Sequence, residues 1–314
     1  MGNDLEQAAA ILRRGGLVAI PTETVYGLAA NALNTQAVAG IFKAKNRPSF
    51  DPLIVHAAST EEAFQWAADI PALARTLAHA FWPGPLTLVL PKQPSIPDLT
   101  TSGQPSVALR VPRNRLSLKL LSNLDFPLAA PSANPFGYVS PTRPSHVSDQ
   151  LGSLVDYILD DGPCSIGLES TIVDLTGEPT VLRLGGLSLE QLEAVTGFAL
   201  PTQLSSSKPK APGQLTSHYA PRVPVRVGTL DELLAKPLSD TTALVTFQRQ
   251  PTQTKYQWQL SENGSDVEAA TTLFHLLRHL DQPAVFSAIF MEWAPDRGLG
   301  RAINDRLQRA QSRL

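Results

Sequence analysis

Between Ile41 and Ala57 the chain reads IFKAKNRPSFDPLIVHA, with Lys43, Lys45 and Arg47 in alternate positions ahead of a proline. An apolar run, Leu53-Ile54-Val55, follows and ends on His56. Cations at a helix C-terminus complement its dipole, which accounts for one charge. Three cations beside a strand exceed that need. A compact ammonium two residues from a forked guanidinium suits the grip of phosphate oxygens. The stretch therefore predicts an anion site. His56, read by itself, is more often a satisfied structural histidine than a ligand contact.

Other segments offer polar groups at strand ends. PTETVYGL places Thr22 and Thr24 on one side of an extended segment. VALRVP sets Arg110 in an apolar strand, where an unpaired cation is costly, so both a salt bridge and a carboxylate-binding role are open. APSAN carries Ser132 and Asn134 just past an apolar strand, a position where α/β sheets bind ligands. YVSPT adds Ser140, GLESTIVD adds Glu169, Ser170 and Thr171, and VLRLG adds a second strand arginine, Arg183. Together they predict a concave polar pocket for a multiply anionic ligand, with no covalent nucleophile. A P-loop is absent, as is a Gly-x-Ser-x-Gly elbow. GLGRAI near Gly298 is only a fragment of a dinucleotide fingerprint. His275 and His279 share a helix face but lack a third ligand nearby, which favours a packed helix surface over half a metal site. Cys164 reads as a small buried hydrophobe.

The elements that must position these groups alternate from residue 4 to about 200. Capped helical segments separate short apolar strands, and some adjacent strands can pair antiparallel, which predicts an α/β fold with a mixed sheet. From Leu200 the chain turns rich in Ser, Pro and Lys without periodicity, so residues 201–222 are expected to form a linker. Residues 223–314 return to strand-like and helical patterns and predict a smaller α/β domain. The length of 314 residues suits two domains, and 43% hydrophobic with 17% charged residues excludes wholesale disorder. A net charge of −2 excludes a whole-protein basic field. One cysteine excludes a disulfide framework, and no apolar run approaches the ~18 residues of a spanning helix. A cytoplasmic protein is expected.

In chain order, PTETVYGLAANA, IFKAKNRP with PLIVH, FWPGPLTLVL, VALRVP, APSAN, GLESTIVD and VLRLG resemble the YrdC-like domain of L-threonylcarbamoyladenylate synthases. HYAP in the linker and a closing domain that ends GLGRAINDRLQRA resemble the long, two-domain form of that family. The resemblance covers essentially the whole chain. It implies a twisted mixed sheet with a concave, positively charged cavity in residues 1–200, a linker or lid over 201–222, and a Rossmann-like α/β domain over 223–314. It implies condensation of L-threonine, bicarbonate or CO2, and ATP into threonylcarbamoyl-AMP with release of pyrophosphate. Separate threonylcarbamoyl-transfer enzymes then use that product to make N6-threonylcarbamoyladenosine at tRNA position 37.

Carried onto this sequence, the resemblance gives Lys45 and Arg47 the carbamate and phosphates. Thr22 or Thr24, His56 and Arg110 would seat threonine, with Arg110 pairing its carboxylate. Ser132, Asn134, Ser140 and Arg183 would contact the adenylate, while Ser132 and Ser170 also help seat threonine. His218 and Tyr219 would close over the nucleotide. Mg2+ is expected on the triphosphate, held by phosphates and water rather than by a protein metal site. The family commonly has Asn where this chain has Asp51, which puts a nucleotide contact there in doubt unless the acid faces a cation or the metal. A noncatalytic RNA-binding or regulatory module of the same fold is the alternative, and direct contact with tRNA is left open.

Overall fold

In the computed structural model, residues 1–206, 210–214, 218–248 and 254–311 are described. In chain order the strands are β1 (Val18–Ile20), β2 (Gly27–Asn31), β3 (Ile54–His56), β4 (Leu86–Pro91), β5 (Ser106–Arg110), β6 (Leu128–Ala129) and β7 (Tyr157–Ile158). They continue with β8 (Thr171–Asp174), β9 (Thr180–Arg183), β10 (Val225–Gly228), β11 (Thr242–Thr246), β12 (Tyr256–Gln259) and β13 (Ala288–Glu292). The helices begin with α1 (Leu5–Arg13), α2 (Thr35–Lys45), α3 (Thr60–Gln65), α4 (Ala72–Phe81), α5 (Asp98–Thr101) and α6 (Arg115–Ser122). They end with α7 (Pro144–Leu151), α8 (Leu189–Thr196), α9 (Leu230–Leu233), α10 (Asp266–Leu280) and α11 (Gly300–Gln311).

The first nine strands form one sheet in the order β7-β1-β2-β6-β3-β5-β4-β8-β9. Three parallel pairs (β1 with β7, β3 with β5, β4 with β8) are interspersed among antiparallel ones, so the sheet is mixed as the sequence predicts. The last four strands form a second, parallel sheet in the order β10-β13-β11-β12. Among the described residues no helix is long and apolar enough to cross a membrane.

Local signals fix the helix that bears the cations. The Asn34 side chain caps α2 by accepting from the backbone N–H groups of Gln36 and Ala37. Ala37, Val38, Ile41 and Phe42 bury one face, and Asn46 ends the helix in the left-handed conformation, at φ 51°. That turn leaves Lys43 exposed and directs Lys45 and Arg47 inward, where they are 1% and 7% exposed. Only Lys43 is left as a solvated helix-end charge.

Helices α1 and α6 cover one face of the first sheet, through a cluster that includes Ala8, Leu12, Val18, Ile20, Leu120 and Leu128. The larger cluster on the other side continues from Tyr26, Ile41 and Leu109 to Tyr219, Phe274, Ile303 and Leu307, so one core spans both sheets. The two edges of the first sheet are covered by irregular chain: Gly2 bridges Leu159 beyond β7, and Thr202 bridges Val181 on β9. Where the sheets meet, Gly167 lies against α10. His275, expected on a packed helix surface, stacks on His146 at 5.5 Å between centroids, while His279 is exposed.

Gly167 has φ +80°, and a Cβ there would lie 2.6 Å from the Ala270 carbonyl oxygen. A side chain would meet both left-handed backbone strain and the α10 backbone. Gly167→Ala is expected to lower the urea unfolding free energy by about 1–3 kcal/mol. An unchanged unfolding curve would show that the two units tolerate separation at this point.

Candidate functional site

A narrow cavity lies over the middle of the first sheet, where the turn after β1, the end of α2, the ends of β3, β5 and β9 and the loop after β6 converge. Its walls include Thr22, Arg47, His56, Arg110, Ser132, Glu169, Arg183, His218 and Tyr219, together with the apolar Val25, Ile54 and Ala130. Pro212, Gly213, His218 and Tyr219 close it from the linker side. The linker is seated by packing of Ala211 against Ile54, Val89, Ala108, Ile172 and Leu182. At Gly213, φ is +87° and a Cβ would come within 2.9 Å of Arg183 Cδ, so the linker backbone lies directly on the arginine.

Pairing of β3 with β5 sets His56 opposite Arg110. Arg110 Nη2 donates to Glu23 Oε1 at 2.7 Å and to Thr24 Oγ1 at 2.9 Å, while its Nε donates to the Gly84 carbonyl at 3.3 Å. Glu23 Oε2 also accepts from the Arg113 backbone N–H at 2.9 Å. The buried cation expected from sequence thus has a salt bridge and also reaches the cavity wall. Thr24 hydrogen-bonds Thr22 at 2.8 Å, and Thr22 donates to the Val25 carbonyl at 2.6 Å. Thr22 lies on the wall and Thr24 stands behind it.

Lys45 Nζ donates to the carbonyl oxygens of Ser132 and Asn134. The ammonium therefore ties the end of α2 to the loop after β6, and Ser132 faces the cavity from that loop. Asn134 turns its amide to the carbonyls of Pro135 and Tyr138, at 2.9 and 2.8 Å. Arg47 Nε donates to the Asp51 carbonyl at 3.1 Å and Nη2 to the Pro52 carbonyl at 2.9 Å. The Asp51 carboxylate comes within 2.9 Å of Arg47 Nη2, yet neither carboxylate oxygen has a partner in hydrogen-bond geometry. The contact is a close charge pair without a well-aligned hydrogen bond. Asp51 thus faces a cation, one of the two circumstances that relieve its repulsion for an anion.

Arg183 donates from Nε to the Ser170 carbonyl, from Nη2 to Ser170 Oγ and from Nη1 to the Pro212 carbonyl, at 3.0, 3.0 and 3.1 Å. Ser170 Oγ also meets Thr87 Oγ1 at 2.7 Å. Ser140 donates to Glu169 Oε1 at 2.6 Å. Of the residues predicted from sequence, Thr22, Arg47, His56, Arg110, Ser132, Arg183, His218 and Tyr219 reach the wall. Thr24, Lys45, Asn134, Ser140 and Ser170 form a layer behind it. Glu169 was singled out only as part of a motif, although it lines the wall. Its partner Arg306, at 3.0 Å, comes from α11 and carried no signal in the sequence that could place it there.

Burial and mutual repulsion set the charges. Burial, then Arg47, holds Lys45 well below the usual lysine range, with Asp51 acting against them. Burial lowers Arg183 to about 10. Burial raises Asp51 against the pull of Arg47 and Lys45. Burial would also raise Glu169, but Arg306, Arg183 and the Ser140 hydrogen bond outweigh it and hold the carboxyl below its ordinary value. His56 is lowered to about 3 by burial and Arg110, and His218 to about 3 by burial, with Arg47 and Lys45 adding to the effect. Both histidines are neutral at pH 7, and His218 Nδ1 is buried without a hydrogen-bond partner.

Fold and site together define a two-domain α/β protein with an arginine-lined cavity between its main sheet and its linker. A family model described as telomere recombination, for Sua5, YciO and YrdC, matches residues 10–185, and one described as threonylcarbamoyl-AMP synthase, C-terminal domain, matches residues 187–312. The threonylcarbamoyl-AMP synthase of Pyrococcus abyssi is 42% identical over 96% of this chain and 92% of its own. That of Bacillus subtilis is 39% identical over 98% and 92%. A crystal structure of P. abyssi Sua5 complexed with L-threonine superposes with a TM-score of 0.90 at 40% identity, covering 98% of this chain and 94% of that one. The chain belongs to the threonylcarbamoyl-AMP synthase family, in its long two-domain form. It is an enzyme of the ATP-using, nucleotidyl-transfer type rather than a noncatalytic RNA-binding module.

The neutral histidines have a consequence for stability. A histidine near 3 in the folded chain and near 6.5 unfolded stabilises fully above pH 6.5, and this contribution falls as acid protonates the unfolded state first. Each such group contributes a slope of up to about 1.4 kcal/mol per pH unit. Unfolding free energy is expected to drop between pH 6.5 and 5, above the window in which Glu169 titrates. Asp51 acts in the opposite sense from its raised value downward. Urea midpoints at half-unit pH steps check this, and a flat profile over that window would contradict neutral burial of His56 and His218.

Proposed function

We propose that this cavity is where the chain condenses L-threonine, bicarbonate and ATP into threonylcarbamoyl-AMP. The observation that carries the reading is the convergence of Arg47, Arg110 and Arg183 on one small cavity, with Lys45 directly behind its wall. Among the described residues neither Lys45 nor Arg183 has a carboxylate within salt-bridge distance, so the cavity is set up for an anion from outside.

Thr22 and Arg110 seat threonine, the guanidinium beside its carboxylate and the hydroxyl beside its polar groups. The neutral amine of threonine attacks CO2 derived from bicarbonate, and loss of a proton leaves a carbamate. A carbamate oxygen then attacks the α-phosphorus of ATP, the bond from that phosphorus to the β-bridging oxygen breaks, and pyrophosphate leaves. Carboxylate, carbamate and triphosphate repel one another, so most of the rate enhancement comes from holding them close and neutralising charge. Arg47 and Lys45 serve the carbamate and phosphates. Arg183, Ser132 and the residues behind it serve the adenylate, and His218 with Tyr219 closes over the nucleotide. Neutral His56 walls the threonine side without adding charge.

Mg2+ on the triphosphate neutralises phosphate charge. Among the described residues no group of three or more His, Cys, Asp or Glu side chains gathers to hold an ion. Phosphate oxygens and water would supply its ligands. The division into residues 1–200, 201–222 and 223–314 belongs to the same reading, with the middle segment as the lid. The product's mixed anhydride is activated for acyl transfer, which suits use by a downstream threonylcarbamoyl-transfer enzyme acting on tRNA, in the cytoplasm.

Pyrophosphate release from ATP by the purified protein, with threonine and bicarbonate omitted in turn, tests the reading. Release should require both. Lys45→Ala and Arg47→Ala should each lower turnover by about a hundredfold or more while circular dichroism stays native. Near-normal rates in both variants would move the reaction out of this cavity.

A further inference from the structure

Arg306 is completely buried, and it comes from the second domain. Every edge of its guanidinium is used. Nε donates to Glu169 Oε2 at 3.0 Å, Nη2 to the Leu184 carbonyl at 2.7 Å and Nη1 to Asp305 Oδ2 at 2.7 Å. Its flat face lies 5.1 Å from the Tyr219 ring centroid. Tyr219 in turn stacks on Phe274 of α10 at 5.4 Å, so two groups of the second domain grip one ring of the linker. Among the described residues Tyr219 is also one of three non-glycine residues with positive φ, at +63°. Such a backbone costs of order 1–3 kcal/mol and persists only where its surroundings hold it. The other oxygen of Glu169 takes the Ser140 hydroxyl, so Arg306 reaches the adenylate side of the cavity in one step and the lid in another.

We propose that Arg306 is a positioning residue for the cavity: it fixes Glu169 and the ring of Tyr219 together, so the linker closes over ATP only when the second domain is seated. The proposal rests on the reading of the cavity as the ATP site. Each of its three nitrogens is bonded to a protein group and the side chain is fully buried off the cavity wall, so Arg306 itself does not touch substrate. A planar fork is required because three edges and a face act at once, and an ammonium supplies neither the fixed edges nor the face. The second domain is then a component of the lid's closed state, and Arg306 is the side chain that joins the lid to Glu169 on the cavity wall. Threonine, seated at Thr22 and Arg110, whose hydrogen bonds go to neither Glu169 nor Tyr219, does not depend on that joint.

Calorimetric titration of ATP and of L-threonine into wild type and Arg306→Lys tests this. The lysine variant keeps a positive charge beside Glu169 and loses the stack on Tyr219. ATP affinity should fall about tenfold, the size of one desolvated cation–π contact, with threonine affinity changed less than about twofold. Unchanged ATP affinity in a folded variant, or equal losses for both ligands, would overturn the proposal. If Arg306→Lys does not fold, the double variant R306Q/E169Q is compared with E169Q, which avoids an uncompensated buried carboxylate. The same selective loss of ATP relative to E169Q is expected, and equal affinities would overturn the role. Failure of wild type to release pyrophosphate is a separate result that bears on the reaction, because the titrations read binding alone.

Discussion

Buried positive charge is the constraint around which this molecule is organised. Removing a cation from water costs several kcal/mol unless hydrogen bonds or opposite charge compensate. Around the cavity, compensation is divided between two kinds of partner. Arg110 and Arg306 have carboxylates, in Glu23 and Glu169. Lys45 and Arg183 have carbonyl oxygens and a hydroxyl. Carbonyl dipoles satisfy the donors without cancelling the charge, and the field left over is what an incoming anion meets. The same bonds locate the walls: Lys45 holds the loop that carries Ser132, and Arg183 holds both Ser170 and the linker at Pro212. Site electrostatics and site architecture are thus one set of contacts.

The second domain takes part through the same device. Arg278 on α10 donates to the carbonyls of Val139 and Ser140 and to Gln150 Oε1, so a second guanidinium from this domain fastens the segment next to the cavity. Asp281 accepts from the backbone N–H groups of Arg222 and Val223, at 2.7 and 3.0 Å, and from the Tyr138 hydroxyl, where it pins the end of the linker to the same region. With a continuous apolar core beneath these contacts, the two sheets behave as one packed body.

Much of this was legible in the sequence where a local pattern had a local cause. The helix end at Asn46, the mixed first sheet and the arginines in strands all follow from residue type and spacing. Arg110 illustrates the limit. Its strand position showed that it needed a partner, but Glu23 is 87 residues away and only folding brings the two together. Periodicity could not separate Thr22 from Thr24, because the turn after β1 is irregular and the hydroxyl pair bonds to itself. Lys45 read as a phosphate ligand, while its carbonyl partners depend on a loop that no local rule places. Arg306 was invisible for the same reason: on an amphipathic helix its sequence context resembles that of any surface arginine.

The bridges at the two borders of the first sheet bear on solubility. An open nine-stranded sheet would present unpaired backbone along β7 and β9, and such borders recruit strands from other chains. Here Gly2 exchanges backbone hydrogen bonds with Ile158 and Asp160, at 3.1 and 2.7 Å, and covers one border. On the other, Val181 donates to the Pro201 carbonyl and accepts from the Gln203 N–H, both at 2.8 Å. The segment that guards this border is the root of the linker. The chain that goes on to line the cavity at Pro212 therefore leaves from a border already sealed against self-association.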